Sequence, residues 1–322
     1  MLTPVYKIEY NEKNITKDVS AYVLSLEYSD YEHGQSDEIT ITFEDTEKLW
    51  QNAWIPSKGD TLRVFIGYEN EKLLNCGLFE TDEIEYDSPP DTLTVKALAS
   101  AITKPLREEN SKGYENKTLK QIANEIAQKH NLTLIEEIDD IKIERITQNQ
   151  ESDLSFLKRI AEEYGYIFKI ADGSLVFYKT QKLVNAKTAR IIHKNELTSI
   201  NLREKTSKLY KAVSVTYKNP KTGKIVSAVV RNENCIKGDT LKLDLRCENK
   251  EQAILKAKAA LDKGNNTIEG SIQIVGTPYL AAGINVELKD IGYFSGKYHV
   301  KEAKHTINRY SGYITGLEIA SC

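Results

Sequence analysis

Long apolar runs are missing from this 322-residue sequence. None approaches the roughly 20 residues that a membrane-spanning helix needs, so no such helix is expected. The opening stretch MLTPVYKIEYNEK has neither a basic start nor an apolar run, which argues against a secretory leader. Cysteine is sparse. Cys76, Cys235, Cys247 and Cys322 are scattered and form no CxxC pair. The expectation is four reduced thiols in a cytosolic protein, although Cys235 and Cys247 could face each other across a hairpin. Catalytic signatures are lacking too. Gly223-Lys224 in PKTGKIV has neither the leading glycine nor the trailing Ser/Thr of a phosphate-binding loop. No HExxH, GxSxG or Cys-His nucleophile pattern occurs.

Histidine is also scarce, at 5 residues. His299 and His305 would share one face of a regular strand, but about 20 Å apart by strand rise. They are therefore expected to be satisfied surface or interface histidines rather than metal ligands. The acidic neighbours Glu108-Glu109, Asp139-Asp140 and Glu162-Glu163 do not point at a common bond, which makes them poor acid/base pairs. Glu162 and Glu163 read as the solvated face of a helix. No catalytic, cofactor-binding or metal-binding residue is assigned, no cofactor is expected, and the chain is not expected to be an enzyme.

What the sequence has in quantity is charge, unevenly placed. Residues 1–105 carry 20 Asp and Glu against 9 Lys and Arg, a net of −11. Residues 106–181 carry 14 against 11, and residues 182–322 carry 13 against 24, a net of +11. Such a split fits two independently solvated domains, a basic half on nucleic acid, or head-to-tail association of copies. The lysines of the basic part are spread over strands, turns and a helix without interleaved aromatics, which argues against a specific nucleic-acid reader.

The period of the apolar residues changes twice. Strands are expected at 23–28, 38–43, 62–68, 78–84 and 93–98, with Ile39, Ile41 and Phe43 alternating against Thr40 and Thr42. A short helix at about 46–53 would carry Leu49, Trp50 and Trp54 on its apolar side, stopped by Pro56; both tryptophans read as core. In the middle, Leu119, Ile122, Ala123, Ile126 and Ala127 form a helical stripe behind a cap at Asn116 or Thr118. A second helix, capped by Ser152 and ended by Gly165, carries Leu154, Leu157, Ile160, Ala161 and Tyr164. A hairpin at 166–178 turns at Asp172-Gly173. Further strands are expected at 212–217, 224–231 and 241–245, turning at Asn219-Pro220 and Thr222-Gly223. A helix follows at 250–262 with Ala253, Ile254, Ala257, Ala260 and Leu261 buried. Four closing strands lie between Glu269 and Ile319, with Tyr313, Thr315, Leu317 and Ile319 on one face.

Three blocks of this order carry a resemblance: DVSAYVLSLEYSDYEHGQSDEITITFEDTEKLWQNAWIPSKGD, then ESDLSFLKRIAEEYGYIF, then GTPYLAAGINVELKD with GKYHVKEAKHTINRYSGYITGLEI. Together they resemble the late control D family, the baseplate hub proteins of contractile phage tails, over about residues 5–319. The helix in the second block is also similar to one in type VI secretion spikes. The resemblance implies a mainly β chain with an α+β middle: two small tail-tube-like β-barrels flanking an α/β domain. Its divisions would be an acidic barrel at 1–105, the α/β domain at 106–181 and a basic barrel with one helix at 182–322.

It further implies a homotrimer whose two barrels per subunit make a six-membered ring. That ring would adapt a sixfold tail tube protein to a threefold central spike protein among other baseplate proteins, in the virion, after assembly in the bacterial cytoplasm. The opposite charges would guide the acidic barrel of one copy to the basic barrel of the next. The sequence stops just after the last strand, so the spike is expected to be a separate polypeptide. DNA would pass through the lumen only non-specifically. Two other classes stay open: the hub of a type VI or extracellular injection machine, and a cell-wall-degrading or host-binding tail accessory.

Overall fold

The computed structural model describes residues 2–99, 104–171, 173–205, 209–218, 223–233, 235, 238–264 and 267–322. Alternation of apolar and polar residues builds strands from both ends of the chain into one 13-stranded sheet. From one end its order is Leu197–Glu204, Ile268–Val275, Gly312–Ser321 and Gly296–Asn308. It then crosses to Val23–Tyr31, Glu38–Glu44, Thr92–Ala99, Leu74–Asp87, Thr61–Tyr68, Pro4–Tyr10 and Lys13–Asn14. A branch from Gly296–Asn308 adds Asn285–Lys289, with Thr188–His193 parallel beyond it. The two ends of the chain thus share one hydrogen-bonded surface. Among the described residues its strand pairs form an open path and close neither half into a ring.

Each half fills its own core. Ile39, Ile41, Val64, Ile66, Leu93 and Val95 pack in the acidic half, and Ile307 and Tyr313 from the closing strands complete that core. Ile272, Ile274, Val286, Leu288, Val300 and Leu317 pack in the basic half. The middle section makes a third core around Leu119, Ile122, Phe156, Leu157, Ile160 and Phe177. Burying side chains of this size contributes roughly 1.5–3 kcal/mol each.

The helices near residue 120 and residue 160 form where their caps place them. Thr118 caps Leu119–Lys129 in a reciprocal pair with Gln121, and Ser152 accepts from the Ser155 N–H at 3.1 Å to start Asp153–Tyr164. Gly165 ends the latter at φ 77°, a left-handed conformation glycine adopts without penalty. Phe156 is buried beside Leu157, whereas Leu154 is only half-buried. The turn residue Asp172 lies outside the described residues, as do Asn219, Pro220 and Thr222.

Two expectations need correction. No helix forms at 46–53. Lys48 takes φ 57°, and the Asp45 carboxylate accepts from the N–H groups of Trp50 (2.8 Å) and Gln51 (3.1 Å), closing a loop instead. Trp50 is core, but Trp54 remains 38% exposed.

The stretch 182–322 holds two cores. Ala212–Lys218, Ile225–Arg231 and Thr240–Asp244 leave the large sheet and pair with each other. Their inner faces pack on the helix Lys250–Gly264.

Second, that helix is covered on two sides. Gln252 and Lys256 are buried while Ile254 is 40% exposed, because the helix also faces Asp153–Tyr164.

Candidate functional site: the junction of the two halves

The acidic and basic halves meet where Val23–Tyr31 pairs with Gly296–Asn308, from Asn308 opposite Ser25 to Glu302 opposite Tyr31. Opposite charges of the two halves meet here within one chain. Glu27 pairs with Lys304 at 2.7 Å, Glu44 with Arg309 at 3.0 Å and Glu32 with Lys301 at 3.0 Å.

A bulge interrupts the long strand. Val300 pairs with Ile319, yet Glu302 pairs with Glu318, so two steps on one strand match one on the other. One extra residue inverts the alternation of faces. Tyr298 and Val300 therefore share the core with Ala303, and His299 faces away from His305. Both histidines are buried at 1% exposure in the seam between the halves, rather than on the one shared face a regular strand would give.

His305 offers Nε2 to the Leu280 carbonyl at 2.9 Å, which requires a proton on that nitrogen; Nδ1 then accepts from the Tyr313 hydroxyl at 2.8 Å. Burial pushes its pKa down, in keeping with this neutral form. Tyr313 also packs on Tyr68, whose hydroxyl donates to the Gly276 carbonyl at 2.9 Å. Any side chain at 276 would start 2.1 Å from the Tyr313 ring, so glycine is required there by close approach.

On the other face His299 meets Glu32 through Nε2 and the Asn285 carbonyl oxygen through Nδ1. Asn285 directs its amide N–H groups to the carbonyls of Leu183 (2.8 Å), Val184 and Ala186, which fixes its amide orientation. Burial pushes the Glu32 carboxyl up, but His299 and Lys301 outweigh that and leave it below the ordinary carboxylate range.

The middle section joins at the same place. Asp30 accepts from Lys169 and from the Ala282 N–H at 2.8 Å, so one carboxylate ties three parts of the chain together. Lys169 also reaches Asp37 at 2.9 Å. Burial pushes Asp37 up, aided by the Asp30 charge and opposed by Lys169. His33 Nδ1 accepts from the Phe168 N–H at 2.8 Å, and Gly34 donates its N–H to the Phe168 carbonyl at 2.9 Å. The run Asp30–Gly34, inside the first resemblance block, is thus the common anchor. Nothing in its local sequence marked it, since these side-chain partners of Asp30, Glu32, His33 and Gly34 lie over 120 positions away.

The helix of the second block contributes its polar face. Glu163 binds Lys256 at 2.6 Å and Arg159 at 3.2 Å; Glu162 binds Lys263 at 2.9 Å and lies 3.4 Å from His33. Glu162 is exposed as expected although it also makes this contact, whereas Glu163 is half-buried between units. Asp153 is buried and accepts from Lys129, His130 and Gln148. Burial raises its pKa, but those partners outweigh the effect and hold it below the usual range. Glu108, Glu109 and Asp140 stay exposed, and Asp139 pairs with Lys179 at 2.6 Å. Cys76, Cys235 and Cys247 are buried, whereas Cys322 is exposed.

Where these units meet there is a cavity of about 610 Å³ whose wall includes Glu32, His33, Glu162, Lys263, Lys301 and Cys322. Within that wall Glu32 pairs with Lys301, and Glu162 with Lys263 and His33. The geometry therefore fixes the mutual orientation of four packed units.

Comparison with known proteins agrees with this architecture. Two curated probable baseplate hub proteins are similar: that of Escherichia phage 186, 29% identical over 187 residues, and that of Escherichia phage P2, 30% identical over 192 residues. These matches cover 58% and 59% of the chain but only 47% and 49% of the relatives, about half their length. Among solved structures, the 43 kDa tail protein of a Shewanella oneidensis prophage superposes with a TM-score of 0.75 at 14% identity, covering 99% of this chain and 98% of that one. A tail protein of Neisseria meningitidis gives 0.75 at 11% identity, covering 99% and 97%. An Escherichia coli type VI secretion component gives 0.59 at 13% identity, covering 94% and 74%. These likenesses establish a shared fold. Residues 79–311 match the phage tail baseplate hub (GPD) family, and the chain belongs to that family.

Proposed function

We propose that the chain is a structural ring subunit of a contractile-tail baseplate. Three copies would close through dissimilar surfaces, each giving two barrel-like wall segments, so that six segments meet the tail tube protein and a threefold face meets the central spike protein. The supporting observation is the Val23–Tyr31 to Gly296–Asn308 ladder, which sets an acidic and a basic half side by side within one chain. A ring of such chains alternates the two halves, and closed heterologous association needs that kind of repeat. The outer strands Lys13–Asn14 and Leu197–Glu204 are the free ends of the sheet path. Exposed strand edges tend to pair with other chains, and here they would carry the subunit and tube contacts.

On this reading the divisions 1–105, 106–181 and 182–322 act as wall, brace and wall. The lumen is lined by polar residues without a strong basic excess, so DNA passes without tight phosphate contacts. The role is mechanical rather than enzymatic, and the protein works in the virion baseplate after assembly in the host cytoplasm. A type VI hub shares the fold, but the sequence similarity is to phage tail hubs, which favours the phage reading. Light-scattering mass and negative-stain averages test the proposal. A threefold ring with a central channel, weakened by high salt, is expected; a monomer at all salt concentrations in the presence of spike and tube proteins overturns it.

A further inference from the structure

The strands Ala212–Lys218, Ile225–Arg231 and Thr240–Asp244 and the helix Lys250–Gly264 form an insert outside the large sheet. Residues 212–264 carry 11 Lys and Arg against 6 Asp and Glu, a net of +5. Ile225–Arg231 is an edge strand. Ala212–Lys218 pairs with one side of it, and among the described residues no strand pairs with the other. Asn232 donates its N–H to the carbonyl of Lys211, the residue opposite, at 2.9 Å. Every second pair along the ladder bonds in the same way, so Val213 with Val230 and Val215 with Ala228 exchange hydrogen bonds. The N–H and C=O groups of Ile225, Ser227, Val229 and Arg231 therefore point to the open side. The side chains of the same four residues are exposed, Ile225 at 66% and Val229 at 59%. Lys218, opposite Ile225 on the next strand, is exposed too. A bare edge of 7 residues with apolar side chains on it invites another strand.

The acidic half holds a second bare edge. Thr61–Tyr68 pairs with Leu74–Asp87 only as far as Glu80, and Thr81 then bonds to Asp60 and Gly59. Beyond that point, among the described residues, the stretch 82–87 pairs only with Thr92–Ala99. It reads DEIEYD, four carboxylates and no cation. Lys96 faces Glu83 at 3.3 Å and Glu85 at 3.7 Å, and Arg107 faces Asp82 at 3.4 Å, which offsets part of that charge and leaves the stretch acidic.

We propose that the 82–87 strand of one copy adds to the Ile225–Arg231 edge of a second copy, so that the insert's sheet gains a fourth strand from its neighbour. The proposal rests on the association of copies proposed above and names one contact of it. Three features select that occupant. Outward main-chain N–H and C=O groups are matched by an extended main chain, not by a compact ligand. The basic insert attracts an acidic strand and repels a basic one. Tyr86, 47% exposed, supplies apolar surface to cover Ile225 and Val229.

The test assembles a mixture of isotope-labelled and unlabelled full chains and couples touching carboxylates and lysines with a carbodiimide. Mass spectrometry should find peptides carrying 82–87 from one isotope linked to an insert lysine, such as Lys218 or Lys242, from the other. Val229→Asp sets a carboxylate against the incoming strand and should lower the yield of those links by about tenfold or more, whereas Val229→Lys at the same exposed position should stay within about threefold of the unsubstituted chain. Ser227→Pro removes an outward N–H at an edge position where proline is tolerated and should lower the yield as well; the two Val229 variants decide the matter should it fail to fold. Links confined to chains of one isotope, no link between 82–87 and the insert, or equal losses in Val229→Asp and Val229→Lys overturns the proposal. A threefold ring that forms without these links overturns this contact and leaves the hub reading standing, whereas a monomer under all conditions overturns both.

Discussion

Glu32 and His299 are 267 positions apart in sequence and hydrogen-bond inside the seam between the halves, at 5% and 1% exposure. Lys301 completes the contact at 3.0 Å. Because His299 also binds Asn285, and Asn285 binds the segment 183–186, this one carboxylate helps set the entry of the chain into its basic half.

Glu32→Gln should lower stability at neutral pH by roughly 2 kcal/mol, the scale of a hydrogen bond to a charged group. The pH dependence has a defined sign. The Glu32 pKa is lowered from 4.5 in the folded chain, so its contribution is fully present above 4.5 and is lost as pH falls through the folded value. Denaturant titrations of both proteins should therefore differ at pH 7 and converge in more acidic solution. A difference that grows on acidification would contradict the assignment.

Gly276→Ala should destabilise by roughly 1–3 kcal/mol, the usual cost of overpacking a filled core. The added methyl would start 2.1 Å from the Tyr313 ring. Adding Tyr313→Leu should recover part of the loss, as thermal unfolding would show. Two independent, additive losses would mean that the clash is not the cause.

Lys256→Ala removes the partner of Glu163 between two packed helices, along with a bond to the Arg246 carbonyl at 2.9 Å and the contact with the Tyr164 ring at 4.7 Å. Breaking a buried pair costs on the order of 3 kcal/mol, eased here because Arg159 still faces Glu163. Hydrogen exchange should quicken across Lys250–Gly264 and its three strands while the large sheet is unaffected. Uniform acceleration would show that the insert is not a separate cooperative unit.

Thiol titration should find one prompt group per native chain. Cys322 is exposed, whereas Cys76, Cys235 and Cys247 are buried. Burial also pushes the Cys322 thiol up, so it should react more slowly than free cysteine at the same pH. Two or more prompt thiols in native buffer would contradict this arrangement.

The local elements were legible where a cap or a period specifies them. Thr118 with Gln121, Ser152 with Gly165, and the alternating Tyr313, Thr315, Leu317 and Ile319 all sit as read. The loop at 46–56 was misread because Asp45 binds the N–H groups of Trp50 and Gln51 from outside the helical pattern. The histidines were misplaced because periodicity cannot reveal a bulge, and the one at Lys301 reverses which side each faces. Glu162 is exposed as read, but the contacts of Glu162 and Glu163 were hidden because their partners, His33, Lys256 and Lys263, lie far along the chain. The junction as a whole was illegible for the same reason: Asp30 has no local signal that names Lys169 or Ala282.

Ile307 and Tyr313 belong to the core of the acidic half although they lie in the closing strands. During synthesis, that first half must therefore wait with an unfilled interior until translation has passed residue 313. Contacts this remote slow folding, and nascent chains stalled before and after that point should differ sharply in protease resistance of the first hundred residues.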